Sequence, residues 1–183
     1  SVDDLVIVEV QRAGPSTGMP TKTAQGDLSM LLGAGHGDSP KIILNVGDVE
    51  DCYYETIKAF NYAEKYQVPV FLMMELALCD RFESIAIPQK PEVINRLQPS
   101  EEELKEYEGY RKECIERNIK AHHFKRYKLT ESGISSFSVP GTSAISYANS
   151  AEHDEYGYTC EKKANAKNMV NKRFKKLTQL ECL

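Results

Sequence analysis

Three short runs of mainly apolar residues in the first half of the chain have the composition of buried strands. They cover residues 5–10, 41–46 and 68–74, and their β-branched content favours parallel strands covered on both faces. A short helix at 27–32 and a long helix at 48–66 are predicted between them. This alternation predicts parallel pairing with right-handed crossovers, so the fold class is α/β, a partial doubly wound sheet.

Individual positions within these helices carry further predictions. Asp48 has the residue type of an N-cap for the long helix, since its side chain can accept a hydrogen bond from the first turn. The long helix has apolar residues at helical spacing, including Phe60, and this face is expected to pack on the sheet. The short helix is expected to bury four apolar residues: Leu28, Met30, Leu31 and Leu32.

The second half of the chain has a different pattern, which predicts an irregular and helical extension. Residues 80–99 are rich in proline and are expected to cross the surface as a connecting segment. Ser100 followed by Glu103 predicts a capping box at the start of a helix. Residues 133–159 are rich in Ser, Gly and Tyr and are expected to be ordered but irregular, with five side chains to bury: Ile134, Phe137, Val139, Ile145 and Tyr147. A basic helix with a buried Met169 is expected near the end, its charges coating the solvent side.

These patterns predict a division of the chain into two parts. Residues 1–80 are expected to form the α/β domain, and residues 81–183 the connecting segment and helical extension. A chain of 183 residues is long enough for one domain with a docked extension, but two full domains would be cramped.

The segment 11–27, between the first strand and the first helix, is the most distinctive stretch of the sequence. It contains three glycines, two prolines, three threonines and a serine beside Arg12. Connections of this kind are usually about 2–6 residues long. Ligands bind at the carboxyl ends of strands in open α/β sheets, where this loop emerges. A ligand-holding loop is therefore favoured, and an ordinary but long connection is the alternative.

Composition limits the classes of function. The formal charge is −4 and the pI is near 5.7, which gives no basic footprint for nucleic acid. The apolar runs are too short to span a bilayer, and no signal peptide pattern is present at the start. The five cysteines are scattered without a CxxC pair, which indicates reduced thiols and a cytoplasmic location rather than a zinc or iron–sulfur site.

Several histidines and acids are candidates for ligand or metal binding outside the loop. His36 lies between two glycines in a second turn and could reach a ligand, although a loop histidine is more often solvated. His122 and His123 are adjacent and are expected to point in different directions, so they form a poor metal pair. The four consecutive residues 152–155, EHDE, are also a poor ligand set, because consecutive side chains rarely converge on one ion. No metal site is predicted.

The stretch VQRAGPSTGMPTKTAQGDL resembles the α subunit of the 2-oxoacid:ferredoxin oxidoreductases, especially the 2-oxoglutarate group of the KorA type. The likeness continues through five further stretches in the family order, so it covers nearly the whole chain: GHGDSPKIIL, ETIKAFNYAEKYQVPV, GISSFSVPG, EHDEYG and KRFKKL. The resemblance implies that residues 1 to about 80 are the later half of the pyrimidine-binding domain of a thiamine diphosphate enzyme.

The resemblance also implies roles for residues of the 11–27 loop. Arg12 and Thr21 match family positions that recognise the 2-oxoacid, in agreement with the pairing of a guanidinium with a carboxylate and of a hydroxyl with an oxygen. The residues expected to support the loop near substrate and cofactor are Gly14, Pro15, Ser16, Thr17 and Gly18. No catalytic residue is identified in this chain.

Cofactors and partners follow from the same resemblance. Thiamine diphosphate and Mg are expected at an interface with a β subunit, with γ and δ subunits as further candidates. Iron–sulfur clusters are expected in other subunits, and none of these groups is expected to bind to this chain alone. The implied reaction is oxidative decarboxylation of a 2-oxoacid to an acyl-CoA, with electrons passing to ferredoxin.

Some features of the family are not found in the sequence. Neither the opening threonine motif with the cofactor glutamate, nor the GDG…N diphosphate motif, nor a transketolase-like C-terminal domain is recognised. Glu9 is interpreted as a polar residue in a strand rather than as the cofactor glutamate. Met73, Met74 and Glu75 stand where Ser-Asp is more usual, which leaves the role of that position open.

Three functional hypotheses follow. The chain is expected to be a segment of the α subunit that contributes 2-oxoacid recognition and is inactive alone. The alternative is a non-catalytic binding or scaffold module that retains the fold for subunit contact. A hydrolase that uses the serine-containing loop is less favoured, because the sequence offers no nucleophile–base pair.

Overall fold

The computed structural model describes residues 5–37, 39–90, 96–120 and 122–180. The described residues up to Lys90 belong to one compact unit, and those from Arg96 onward belong to a second. The predicted division of the chain at residue 80 stays a prediction. In the described part of the chain, none of the helices has the length and apolar character needed to cross a membrane.

The first unit is built on a parallel sheet with strand order β1-β3-β2. Its elements, in chain order, are β1 (Val6–Gln11), α1 (Leu28–Gly33), β2 (Ile42–Asn45), α2 (Val49–Tyr66), β3 (Val70–Glu75) and α3 (Leu76–Cys79). The α/β fold class predicted from the alternating pattern is confirmed. The third strand along the chain lies between the other two and pairs in parallel with both.

The core of the first unit lies on the central strand. Val70 and Leu72 on β3 are almost completely buried, and each such side chain contributes about 1.5–3 kcal/mol by leaving water. α2 packs against this strand and buries Ala59 and Ala63. Asp48 caps α2 by accepting a hydrogen bond from the amide of Asp51 at 2.8 Å, which confirms the predicted N-cap.

Helix α1 differs from the prediction that four apolar residues point inward. Leu31 is 2% exposed, whereas Leu28, Met30 and Leu32 are 47%, 54% and 63% exposed. Successive helical positions are about 100° apart, so residues 30–32 point in three directions and cannot share one face. The helix is held at its end by the ammonium group of Lys41, which donates to the carbonyls of Leu31, Leu32 and Ala34.

On α2, Phe60 also departs from the predicted buried stripe. Its side chain is 45% exposed, while Ala59 beside it is fully buried. The small side chain of Ala59 permits close packing, and the neighbouring position points about 100° away from that contact.

The second unit consists of helices joined by a long irregular segment. Its helices are α4 (Glu101–Glu116), α5 (Lys163–Lys175) and a 3₁₀ turn (Lys176–Gln179). The capping box at the start of α4 is confirmed, since Ser100 and Glu103 each accept from the backbone amide of the other. Phe137 in the irregular segment is buried, as expected for an ordered segment.

Side chains that the irregular segment was expected to bury are only partly covered. Ile145 and Tyr147 are 44% and 42% exposed. Besides Phe137, the buried apolar side chains between α4 and α5 include Phe124, Tyr127 and Ala144. Because the segment lacks a regular period, the sequence pattern does not determine which of its apolar side chains turn inward.

Two adjacent histidines in this segment are arranged differently from the prediction. The rings of His122 and His123 lie parallel, with an interplanar angle of 2° and centroids 5.8 Å apart. The expectation that they point in different directions assumed a helix or a strand, and the backbone here is neither.

The carboxylates of the EHDE sequence make separate structural contacts. Glu152 forms a two-fold hydrogen-bonded ion pair with Arg173 on α5. Asp154 accepts hydrogen bonds from the amides of Tyr156 and Tyr158. These contacts hold the irregular segment in place within the second unit.

One basic residue of α5 is not on the solvent side. Lys172 is 7% exposed, and its ammonium group donates to the carbonyl of Gly133 and the hydroxyl of Ser135. Met169 is 2% exposed, as predicted. The helix therefore uses one lysine to satisfy polar groups of the irregular segment.

The cysteines that the structure describes are free thiols: Cys52, Cys79, Cys114 and Cys160. Cys182 lies outside the described residues.

The ion pair between Glu152 and Arg173 predicts a loss of stability in acid. The hydrogen bonds from Arg173 lower the pKa of Glu152 against the opposing effect of burial. A carboxyl with a lowered pKa in the folded state stabilises the fold above its ordinary value of 4.5 and loses this contribution as pH falls below it. Because both side chains are partly exposed, Glu152→Gln should cost only about 1 kcal/mol at pH 7.

Thermal unfolding of the protein and of this variant between pH 7 and pH 3 tests the prediction. The difference in Tm should shrink as the pH falls. Glu116→Gln, on the exposed end of α4, serves as the control and should leave the pH profile unchanged. A difference between protein and Glu152→Gln that is constant with pH would contradict the assignment.

Candidate functional site

The candidate site lies where β1 and β3 end side by side. The register pairs Gln11, the last residue of β1, with Glu75, the last residue of β3. The loop of residues 12–27 leaves β1 at this edge and leads into α1. Carboxyl ends of parallel strands are the usual ligand edge of such sheets.

The tip of the loop, residues 13–22, is closed by hydrogen bonds of its own backbone. The amide of Ala13 donates to the carbonyl of Lys22 at 2.9 Å, and the amide of Met19 donates to the carbonyl of Ala13 at 3.0 Å. Ala13 and Met19 thereby form an antiparallel bridge. The guanidinium of Arg12 donates to the carbonyl of Thr17 across the same tip. The loop is therefore a compact structure rather than an extended connection.

Glycine is required at one position of this tip. Gly18 has φ of +44°, and a Cβ built there would lie 2.5 Å from the carbonyl oxygen of Ala13 and 2.8 Å from that of Gly14. No side chain fits such a space without moving the backbone. The surrounding residues of the predicted scaffold are exposed: Gly14, Pro15, Ser16 and Thr17.

The returning arm of the loop, residues 23–27, is anchored to the strand ends by hydrogen bonds that involve side chains. Thr23 donates its hydroxyl hydrogen to Oε2 of Glu75 at 3.2 Å, and Nε2 of Gln25 donates to the same oxygen at 3.0 Å. The amide of Asp27 donates to Oε1 of the buried Gln11 at 3.2 Å. Two neighbouring strand ends therefore hold one loop.

The structure brings the regions of Arg12 and Thr21 together. Each precedes one partner of the hydrogen bond between Ala13 and Lys22, so both residues lie where the tip closes. Arg12 is partly buried and Thr21 is exposed. His36 is exposed in the turn between Gly35 and Gly37, and no described hydrogen bond joins it to this loop.

Sequence reasoning did not identify Glu75 and Gln11 as residues of the site. The only signal was that a polar residue ends each of two apolar strands, and their pairing depended on the register. Glu75 is one of the residues at the position where Ser-Asp is more usual in the family. In the structure it accepts two hydrogen bonds from the loop, so this position supports the arm that follows Thr21.

The described residues supply hydrogen-bond donors at this edge but no metal centre. Nowhere in the described ranges do three His, Cys, Asp or Glu side chains form a group that could hold a metal ion. The loop offers a guanidinium and several hydroxyls near the strand ends, which suit a carboxylate or a keto oxygen. The site therefore fits the recognition of a small anionic ligand.

The structure described so far is a parallel α/β unit with a closed, glycine-containing loop at the carboxyl ends of its strands. A sequence model of one family, described as pyruvate flavodoxin/ferredoxin oxidoreductase, thiamine diphosphate-binding, matches residues 4–172. The chain belongs to this family.

Curated relatives agree with this assignment. The chain is similar to the α subunit of the 2-oxoacid:ferredoxin oxidoreductase of Saccharolobus solfataricus, with 37% identity over 94% of this chain and 25% of the relative. It is also 43% identical to the 2-oxoglutarate synthase subunit KorA of Methanocaldococcus jannaschii, over 55% of this chain and 27% of that subunit. The matched stretches thus cover about a quarter of the length of each of these relatives.

A solved structure has the same fold. It is the 2-oxoglutarate:ferredoxin oxidoreductase from Magnetococcus marinus with 2-oxoglutarate, coenzyme A and succinyl-CoA bound. The TM-score is 0.79 at 37% identity, over 97% of this chain and 29% of the solved chain. The resemblance inferred from the loop motif is therefore confirmed at the level of the family.

Removal of the Glu75 carboxylate should loosen the returning arm of the loop. Glu75→Ala deletes the acceptor of two hydrogen bonds, each of which contributes about 0.5–1.5 kcal/mol. Hydrogen exchange of the backbone amide of Asp27, which the arm holds on the side chain of Gln11, should therefore become roughly tenfold faster. Glu75→Gln keeps a carbonyl acceptor and should retain most of the protection.

Hydrogen exchange measured by mass spectrometry tests this assignment. Glu50→Ala, in the exposed first turn of α2, is the matched control and should not change the exchange of the arm. Equal exchange in the protein and in Glu75→Ala would show that the two hydrogen bonds do not hold the arm.

Proposed function

We propose that this chain is a segment of the α subunit of a thiamine diphosphate-dependent 2-oxoacid:ferredoxin oxidoreductase and that it contributes 2-oxoacid recognition. The observation that supports this most directly is the closed loop that places Arg12 and Thr21 at the ends of β1 and β3. Membership of the family and the names of the relatives support the reaction class.

Arg12 binds the substrate carboxylate in this proposal. Its guanidinium donates to a neutral carbonyl, that of Thr17, and a carboxylate is a stronger partner for the same donors because the hydrogen bond becomes charge-assisted. The fork of the guanidinium also has the geometry for two parallel bonds to one carboxylate. Substrate binding therefore exchanges an internal contact for a stronger one.

Thr21 supplies a neutral hydrogen bond to the keto or carboxylate oxygen. Its exposure at the tip leaves the hydroxyl accessible from the ligand side, and the fixed backbone at Lys22 limits its movement. A charged and a neutral donor held at one edge orient an asymmetric acid, since its carboxylate prefers the guanidinium. The substrate class is a 2-oxoacid, such as 2-oxoglutarate.

The cofactor is assigned to an interface with a β subunit. Thiamine diphosphate supplies nucleophilic attack on the keto carbon and stabilisation of the negative charge that develops there. The guanidinium and hydroxyls of the loop suit the substrate side of such a site, and Mg with the diphosphate is assigned to the side of the β subunit. Arg12 and Thr21 contribute orientation only.

Other parts of the complex complete the reaction in this proposal. Iron–sulfur clusters in other subunits carry electrons to ferredoxin, coenzyme A accepts the acyl group, and γ and δ subunits are further candidates. The complex is assigned to the cytoplasm. The chain is inactive alone, so CoA-dependent reduction of ferredoxin by the isolated chain would contradict the proposal.

Substitution of Arg12 separates substrate recognition from a scaffold role. In the reconstituted complex, Arg12→Ala should raise the KM for the 2-oxoacid about 10–100-fold, because a charged hydrogen bond of about 1.5–3 kcal/mol is lost. Thr21→Val should raise it about fivefold, as expected for one neutral bond. CoA-dependent ferredoxin reduction is the measurement.

Arg81→Ala provides the control, since Arg81 lies on the exposed segment after α3 and pairs with Glu83. It should leave KM unchanged. An unchanged KM in Arg12→Ala, with the complex assembled, would favour the alternative of a scaffold that uses the loop for subunit contact.

A further inference from the structure

A cavity of about 150 Å³ lies within the second unit, apart from the loop described above. One wall is formed by the first turns of α4, which supply two carboxylates and two phenols: Glu103, Glu106, Tyr107 and Tyr110. The facing wall comes from residues 123–128 together with Tyr156. Acidic and basic side chains therefore face each other across an aromatic interior.

Aromatic rings form the body of the cavity. Tyr107 and Phe124 are each 5% exposed and pack edge to face with centroids 5.8 Å apart. Tyr110 stacks on Tyr156 at 5.5 Å. A volume of about 150 Å³ is enough to hold a benzene ring, so the size of the cavity and the aromatic part of its lining suit one aromatic ring of a ligand.

The phenol of Tyr110 remains neutral at physiological pH. Burial is the main cause of its raised pKa, and the neighbouring Cys114 and Tyr156 raise it further. The aromatic wall therefore presents uncharged surface to a ligand.

The charged residues at the rim of the cavity form two groups. Glu103 and Lys128 interact with each other, whereas Glu106 and Lys125 are not engaged in ion pairs with described residues. Glu103 accepts hydrogen bonds from Ser136 and from the α4 cap and lies 3.6 Å from Lys128. The ammonium group of Lys125 instead lies 5.3 Å from the centroid of the Tyr156 ring, a weak contact that a carboxylate can replace.

We propose that this cavity binds a small zwitterion of the α-amino-acid class that carries an aromatic side chain. The ring enters between the α4 wall and the facing wall, the carboxylate pairs with Lys125, and the ammonium group pairs with Glu106. Such a ligand matches this arrangement because Glu106 and Lys125 offer one charge of each sign beside a cavity the size of one ring. The site does not depend on the proposed function of the Arg12 loop.

Titration calorimetry of the intact protein with three probes tests the proposal. The probes are L-phenylalanine, 3-phenylpropionate, which lacks the ammonium group, and 2-phenylethylamine, which lacks the carboxylate. Phenylalanine should bind with a Kd of about 1 mM or lower. Each half-probe should bind about fivefold more weakly, since a partly exposed charge pair contributes little.

Two variants assign the charges. Glu106→Gln should weaken phenylalanine about fivefold while leaving 3-phenylpropionate unchanged, and Lys125→Met should weaken phenylalanine similarly while leaving 2-phenylethylamine unchanged. Glu108→Gln and Lys120→Met change exposed residues that do not line the cavity and should change nothing. Circular dichroism confirms that each variant is folded.

The three-probe comparison on the unaltered protein decides the matter even if a variant fails to fold. Equal affinity for all three probes would overturn recognition of a zwitterion, and an absence of saturable heat at about 50 mM phenylalanine, far above the expected Kd, would overturn the site.

Discussion

The parallel register of β1 on β3 is the constraint on which the candidate site depends. It sets Gln11 opposite Glu75, so the two polar side chains at the strand ends reach the same loop. A slip of one residue would turn every side chain of a strand to the other face and would set Met74 where Glu75 now accepts from Thr23 and Gln25. The buried side chains of β3, Val70 and Leu72, oppose such a slip.

The two parts of the loop are held by different contacts. The returning arm is bonded to the strand ends, while the tip is closed on itself through Ala13, Met19 and Lys22. Because the tip has its own hydrogen bonds, Arg12 is held at the site before any ligand arrives. Preorganisation of this kind reduces the entropy that binding must overcome, and it is compatible with the recognition role proposed for Arg12.

The second unit shows how an irregular segment becomes ordered without regular secondary structure. Side chains replace the missing backbone ladder: Lys172 donates to the segment, Arg173 pairs with Glu152, and the guanidinium of Arg126 lies 3.9 Å from the centroid of the Phe137 ring. Buried polar groups require such partners. The aromatic cavity forms where this segment turns its rings toward α4.

The sequence by itself determined the elements and their class. Period and composition predicted the three strands and the helices α1 and α2 of the first unit. Local hydrogen bonding predicted the caps at Asp48 and Ser100, because each of these signals acts between residues close in the chain. The motif around Arg12 was enough to indicate the family. The sequence could not determine which side of α1 faces inward, because the exposed Leu28, Met30 and Leu32 are as apolar as the buried Leu31.

Tertiary structure decided the contacts that join distant residues. The bonds from Thr23 and Gln25 to Glu75 span about fifty positions, and the pairing of Lys172 with Gly133 spans 39. No local pattern encodes such contacts, because they depend on strand register and on which polar groups remain unsatisfied after the core has packed. The position of the loop after the first strand could therefore be predicted from the sequence, whereas its support at Glu75 became evident only in the folded protein.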